Sequence, residues 1–179
     1  MEELLILVDQ HDQAIGTGAK MAVHRDGLLH RAFSIFVFDN SGRLLLQQRA
    51  AGKNHSGNRW SNTCCGHPRY GESIEVAAHR RLSEEMGFHC RLQEVAALTY
   101  HLPMSNQLIE HEYNHIFAGV FNGEPAPDPA EAADWSWIEG PALRTATETA
   151  AATFTAWFIA ILNAFGPDCL DLWKLQAQK

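Results

Sequence analysis

One well-bounded helix set between runs of strand constrains this fold more than any other feature of the sequence. Residues 73–86 read as that helix. Ser73 has the side chain of an N-cap, Val76, Ala77 and Leu82 help supply an apolar face, and Gly87 suits the left-handed stop. Ahead of it, residues 4–8 (LLILV) and 32–38 (AFSIFVF) read as strands. The turn 39–42 (DNSG) and the return 43–48 (RLLLQQ) predict a hairpin-like pair. Residues 9–18 read as a turn-like stretch and 20–30 as a polar stretch with two histidines; 49–60 reads as a loop, and 61–68 as a loop or short irregular strand. Beyond the helix, 92–100 and 110–121 read as strands, 123–130 as a rigid proline loop and 133–138 as a short strand. Residues 141–165 read as helical, ending near Gly166 and Pro167, and 168–174 as a last short helix. That order fits an α+β or α/β sandwich. With 179 residues, a single domain over 1–179 is expected, its C-terminal helical region covering about 141–179.

The net charge of −7 argues against partners that need a basic surface, so neither nucleic acid nor an anionic membrane is expected. An anionic small molecule is still compatible, because a few local cations or a bound metal can invert the field inside one pocket. Cys64, Cys65, Cys90 and Cys169 show no disulfide framework, and Glu2 and Glu3 stand where a signal peptide would carry basic residues. The apolar stretch 150–165 is broken by Thr153, Thr155 and Asn163 and is short for a membrane span. A cytoplasmic protein, monomer or homodimer, is the expectation.

Glu84 and Glu85 fall in the last helical turn, where the helix dipole disfavours negative charge. Arg80 and Arg81, or a divalent cation such as Mg²⁺, would offset it. Acidic residues near arginines also occur on plain solvated faces. The spacing decides between these readings: Gly66, Glu72, Arg80, Leu82, Glu84, Glu85, Gly87 and Phe88 resemble the long, discontinuous signature of the Nudix superfamily. Nudix hydrolases carry Glu directly after that arginine, whereas this chain has Arg81, which weakens hydrolysis and adds positive charge where an anion could sit.

Just upstream lies 62–68 (NTCCGHP). Adjacent cysteines lack the usual zinc-site spacing. Cys64 reads as an inert core thiol, and Cys65, beside Gly66 and His67, as the reactive one; in an extended segment the two face opposite ways. His24 and His30 precede the strand 32–38, and Glu110 and Glu112 share one face of a strand from which His111 should point away. With His67 they make a coherent set for a divalent transition metal. His11, His55, His79, His89, His101, His111 and His115 have no assigned role.

Taken together, Lys20, residues 24–34, Arg49 with Lys53, residues 60–68, 71–73, Arg80 and Arg81, Glu84 and Glu85, Tyr100, Glu110 with Glu112, and Trp157 resemble the type 1 isopentenyl-diphosphate isomerases, a Nudix branch that isomerises rather than hydrolyses. The resemblance implies a Nudix-like α/β/α sandwich with a mixed central sheet. It implies interconversion of a homoallylic and an allylic diphosphate by proton transfer, with Cys65, Glu112 and Tyr100 as the catalytic set. It places a metal, Mn²⁺ or Zn²⁺, on His24, His30, His67, Glu110 and Glu112, and a diphosphate-bridging Mg²⁺ against Glu85. Lys20, Arg49, Lys53 and Arg81 would hold the diphosphate, and Trp157 would face the hydrocarbon. In the family picture the Glu112–Tyr100 side protonates and Cys65 removes the proton, but the reaction is reversible. Competing readings are a Nudix hydrolase of a nucleoside diphosphate derivative, a non-catalytic binding protein on the same scaffold, and a surface role for the histidines and glutamates.

Overall fold

The computed structural model describes residues 3–166 and 168–179. Its organising element is β3 (His30–Phe38), buried at nearly every position. A strand with no wet face needs cover on both sides and partners along both edges. One edge takes β8 (Ile109–Val120) in parallel, from His30 opposite Glu112 to Phe38 opposite Val120. The other edge is shared by three antiparallel segments. These are β1 (Leu4–Val8) at His30, β6 (Cys64–Gly66) at residues 33–35, and β4 (Leu44–Arg49) at Phe38. The sheet is therefore mixed, as expected for the Nudix-like sandwich. β7 (Leu92–Pro103) lies antiparallel to β8, while β5 (Trp60–Ser61) and β9 (Ala132–Ile138) flank β4.

The expected hairpin is real only at its turn. β3 and β4 pair through Phe38 and Leu44 and then diverge. Thr63 and Asn62 fill the gap with side chains rather than ladder bonds. Val37 N donates to Thr63 Oγ1 at 2.9 Å, Thr63 Oγ1 donates to the Leu45 carbonyl at 2.7 Å, and Asn62 Nδ2 donates to the Ile35 carbonyl at 3.2 Å. Buried backbone groups must find partners somewhere. Here the polar stretch ahead of Cys64 supplies them, which wedges the cysteine strand into the sheet.

Alternation along β3 sends side chains to two cores. Phe33, Ile35 and Val37 pack with Cys64 against Ala77, Ala78, Leu82 and Met86 of α2 (Ile74–Met86). Phe36 and Phe38 pack against Phe158 and Ile161 of α4 (Ala156–Phe165) and Trp173 of α5 (Cys169–Ala177). The layers are helix, sheet, helix.

Two elements escape the sequence reading. The stretch 9–18 ends in β2 (Ala14–Ala19), an exposed edge strand paired with β1, and its AIGTGA sequence has no alternation to mark it. The polar stretch 20–30 begins with the short helix α1 (Lys20–Asp26), which lacks a side-chain cap. The helical region 141–165 is corrected to two helices, α3 (Gly140–Thr149) and α4, with a 3₁₀ turn over Ala151–Thr153 between them. The break has a cause: Phe154 makes a β-bridge to Trp60, and Thr155 N donates to the Trp60 carbonyl at 2.9 Å. Pro167, where that region was expected to end, lies outside the described residues.

Gly87 closes α2 with φ of 73°, and a Cβ there would sit 2.2 Å from the Ala126 carbonyl oxygen. Gly87→Ala is predicted to destabilise the fold by about 1–2 kcal/mol from the left-handed backbone alone, with the carbonyl clash added. Urea unfolding measures this, and an unchanged midpoint would count against the packing described.

Candidate metal and active site

Registry with β3 assembles the site. His30 opens that strand directly opposite Glu112, and β7 sets Tyr100 against Glu112 and Leu102 against Glu110. Helix α1 adds His24, and the residues after β6 add His67. Ligand atoms of His24, His30, His67, Glu110 and Glu112 all lie within 4.8 Å of one another.

Backbone carbonyls fix the chemistry of two of the rings. His24 Nδ1 donates to the Lys20 carbonyl at 2.7 Å, and His30 Nδ1 donates to the Leu28 carbonyl at 2.9 Å. A carbonyl can only accept, so each neutral ring carries its proton on Nδ1 and a lone pair on Nε2. Those lone pairs face carboxylates: His24 Nε2 is 3.3 Å from Glu110 Oε2, and His30 Nε2 is 3.7 Å from Glu112 Oε1. His67 Nε2 is 3.1 Å from the same Glu112 oxygen. Lone pairs against carboxylates repel unless a positive charge stands among them. His30 Nε2 and Glu110 Oε2 are buried without a hydrogen-bond partner. Three imidazoles with two carboxylates are a donor set for a divalent metal, and this cluster can chelate one. Burial pushes the Glu112 carboxyl up, but the neighbouring His30 and His67 imidazoles outweigh it and hold the group well below its usual range.

Cys65 lies on the other side of β3, opposite Ser34. Its Sγ is 3.6 Å from Ser34 Oγ and 3.1 Å from Asn62 Nδ2. Cys64 turns away into the α2 core, as alternation requires. Burial pushes the Cys65 thiol up to about 11, with the Ser34 and Asn62 hydrogen bonds only partly opposing it. Tyr100 donates to Glu112 Oε2, and Asn114 Nδ2 donates to both Tyr100 Oη and Glu112 Oε2 at 2.9 Å.

These groups open onto a cavity of about 680 Å³, whose walls include Lys20, Arg49, Lys53, Arg81, Glu85 and Trp157. Three of the four cations carry a carboxylate counterion. Lys20 Nζ meets Glu3 at 2.8 Å, Lys53 meets Glu131, and Arg81 spans Glu84 at 2.7 Å, Glu131 at 3.2 Å and Glu85. Arg49 instead sits 5.0 Å from the Trp157 ring centroid. Every site residue named from the sequence stands around this cavity or in the cluster beneath it. Glu84 and Glu72 do other work. Glu72 takes a two-point contact from Arg80, at 2.7 and 2.8 Å, and accepts from Arg69 N at 2.9 Å, fixing the approach to α2. His111 points away, its Nδ1 bonded to the Gly27 carbonyl at 2.8 Å.

Sequence reasoning missed several neighbours. Glu131 joins Lys53 to Arg81; Gln47 donates to Glu85 Oε2 at 2.8 Å; Asn114 braces Tyr100; and His55 reaches Glu110 at 2.9 Å. Of these, only Asn114 had a signal, the strand period that puts it on the face of Glu110 and Glu112.

Residues 28–158 match the NUDIX domain family, so the chain is a NUDIX protein. Solved structures agree at the level of fold. A Deinococcus radiodurans protein, DR0079, superposes with a TM-score of 0.69 at 18% identity, over 83% of this chain and 90% of its own. A MutT protein from Methanosarcina mazei does so with a TM-score of 0.60 at 16% identity, over 84% and 96%. Sequence relatives are nearer. Proteins named isopentenyl-diphosphate Delta-isomerase match from Burkholderia multivorans, at 55% identity over 97% of this chain and 98% of theirs, and from Serratia proteamaculans, at 52% over 97% of each. The chain belongs to the isopentenyl-diphosphate Delta-isomerase family.

Because folding raises the Cys65 thiol from an ordinary 9.0 to about 11, its reactive thiolate is scarce at neutral pH and grows about tenfold per pH unit. Alkylation by iodoacetamide, read at Cys65 by mass spectrometry between pH 7 and 10, is predicted to keep rising throughout. A plateau near pH 9 would contradict the buried environment.

Proposed function

We propose that this protein interconverts isopentenyl and dimethylallyl diphosphate within the one cavity described. The observation that carries this reading is the arrangement across β3. Cys65 stands on one side and Glu112 with Tyr100 on the other, both facing a cavity whose walls carry Lys20, Arg49, Lys53 and Arg81. In the forward direction a proton adds to the terminal alkene carbon, and the adjacent carbon becomes a tertiary cation. A proton then leaves the neighbouring methylene on the diphosphate side, which moves the double bond inward. Two proton-transfer groups flanking a short substrate suffice, and reversibility makes each the acid in one direction and the base in the other.

The remaining residues serve binding and protection. Lys20, Arg49, Lys53 and Arg81 hold the diphosphate, and Arg81 carries positive charge where a hydrolase would have a metal-binding carboxylate. Glu85, braced by the buried Gln47 amide, would help hold a Mg²⁺, which would supply positive charge to the diphosphate. His24, His30, His67, Glu110 and Glu112 would hold Mn²⁺ or Zn²⁺, which would supply fixed positive charge beside the Glu112 carboxyl. The Trp157 ring, with Arg49 over it, stabilises cationic carbon through its π system and, with Trp60, keeps water from it. We place the protein in the cytoplasm, where Cys64, Cys65, Cys90 and Cys169, all free, would stay reduced.

Incubation with isopentenyl diphosphate and Mg²⁺ is expected to yield dimethylallyl diphosphate with the diphosphate intact. Cys65→Ala is expected to lower turnover by at least about 10²–10⁴-fold while its circular dichroism stays that of the parent. Normal turnover by that variant would end the proton-transfer role of Cys65. Release of phosphate from nucleoside diphosphate derivatives, with no isomerisation, would favour the hydrolase reading instead.

A further inference from the structure

His55 belongs to the loop 50–59 between β4 and β5, and nothing in the sequence marks it as special. Its Nε2 lies 2.9 Å from Glu110 Oε1, with both side chains almost fully buried. The other ring nitrogen distinguishes it from the ligand histidines. His24 and His30 each spend Nδ1 on a carbonyl, which leaves Nε2 as a lone pair. His55 Nδ1 instead faces the Ser56 hydroxyl at 3.4 Å. A hydroxyl can donate, so His55 can hold its proton on Nε2 and give it to Glu110.

The two carboxylates of the cluster then have the same construction. Glu112 has Oε2 tied by Tyr100 and Asn114, and Oε1 turned to His30 and His67. Glu110 has Oε1 tied to His55, while Oε2 faces His24 and has no hydrogen-bond partner. We infer that His55 is a positioning residue that pins one oxygen of Glu110 and so presents the other to the metal. Without it, the carboxylate could rotate and lose the aim of its ligating oxygen.

The same ring stands edge-on to Trp157, with centroids 5.7 Å apart and planes at 88°. Its carbonyl accepts from Arg49 Nη2 at 3.3 Å, and Lys53 lies two positions earlier in the loop. His55 therefore ties the metal cluster to the loop carrying one of the proposed diphosphate cations.

This inference rests on the cluster being the metal site, so its test begins without substrate. Metal-free protein is titrated with Co²⁺ and followed by visible absorption. His55→Leu, which fills similar space but cannot donate, is expected to bind Co²⁺ about tenfold more weakly. His55→Gln restores a side-chain N–H and is expected to return within about threefold of the parent. In the isomerase assay His55→Leu should lose kcat, with KM for isopentenyl diphosphate changed far less. Parental Co²⁺ affinity in His55→Leu, or no recovery in His55→Gln when both variants melt like the parent, would overturn the inference. Should the parent bind Co²⁺ but fail to isomerise, the proposed reaction fails while the role of His55 is still decided by the titrations.

Discussion

The parallel pairing of β3 with β8 is the constraint on which this molecule depends. It places His30, the first residue of β3, beside Glu112, where the ladder between the two strands begins. Because side chains alternate with period two, a slip of one residue would turn Glu110, Glu112 and Asn114 away from the site and bring His111 and Tyr113 in. The register is held by the apolar run of β3, which finds cores on both faces only when Phe33, Ile35 and Val37 meet α2, and Phe36 and Phe38 meet α4 and α5. Core packing thus sets the position of the polar cluster. The cluster itself, with lone pairs facing carboxylates, gives the metal-free fold little in return.

The site pools opposite charges before any ligand arrives. Lys20, Lys53 and Arg81 are each paired with glutamates. Such exposed and half-buried ion pairs are weak sources of stability, because water screens them and desolvation offsets their attraction. Their value is geometric. A carboxylate such as Glu131 keeps two cations extended toward the cavity, where an incoming anion finds them already aimed.

Much of this was legible in the chain and some was not, for physical reasons. The helix α2 announces itself through Ser73, its apolar face and Gly87. The cluster of His24, His30, His67, Glu110 and Glu112 could be assembled because their types suit a divalent metal and the family resemblance brings them together. The neighbours that orient them carry no such mark. His55 and Glu131 lie in loops, where position comes from tertiary contact rather than periodicity, and Gln47 sits in a strand whose other residues read as core. The β2 strand went unseen because Gly16 and Gly18 dilute its pattern, and α1 because seven residues with no capping side chain leave little local preference to read. The expected β3–β4 hairpin failed beyond its turn because Thr63 and Asn62 make bonds that no strand propensity encodes.

The bridge from Phe154 to Trp60 cuts one helix into two, and with Thr155 Oγ1 2.9 Å from Ser61 Oγ it does more than interrupt. Trp157, the second residue of α4, lies only two residues past that anchor, and Cys65 lies a short step along the chain from Trp60 and Ser61. Trp157 and the Cys65 thiol, both walls of the cavity, are surveyed from one benchmark. A shift of α3 meets the anchor at Phe154 before it reaches Trp157, so the height of the chamber is set by the sheet and not by α3.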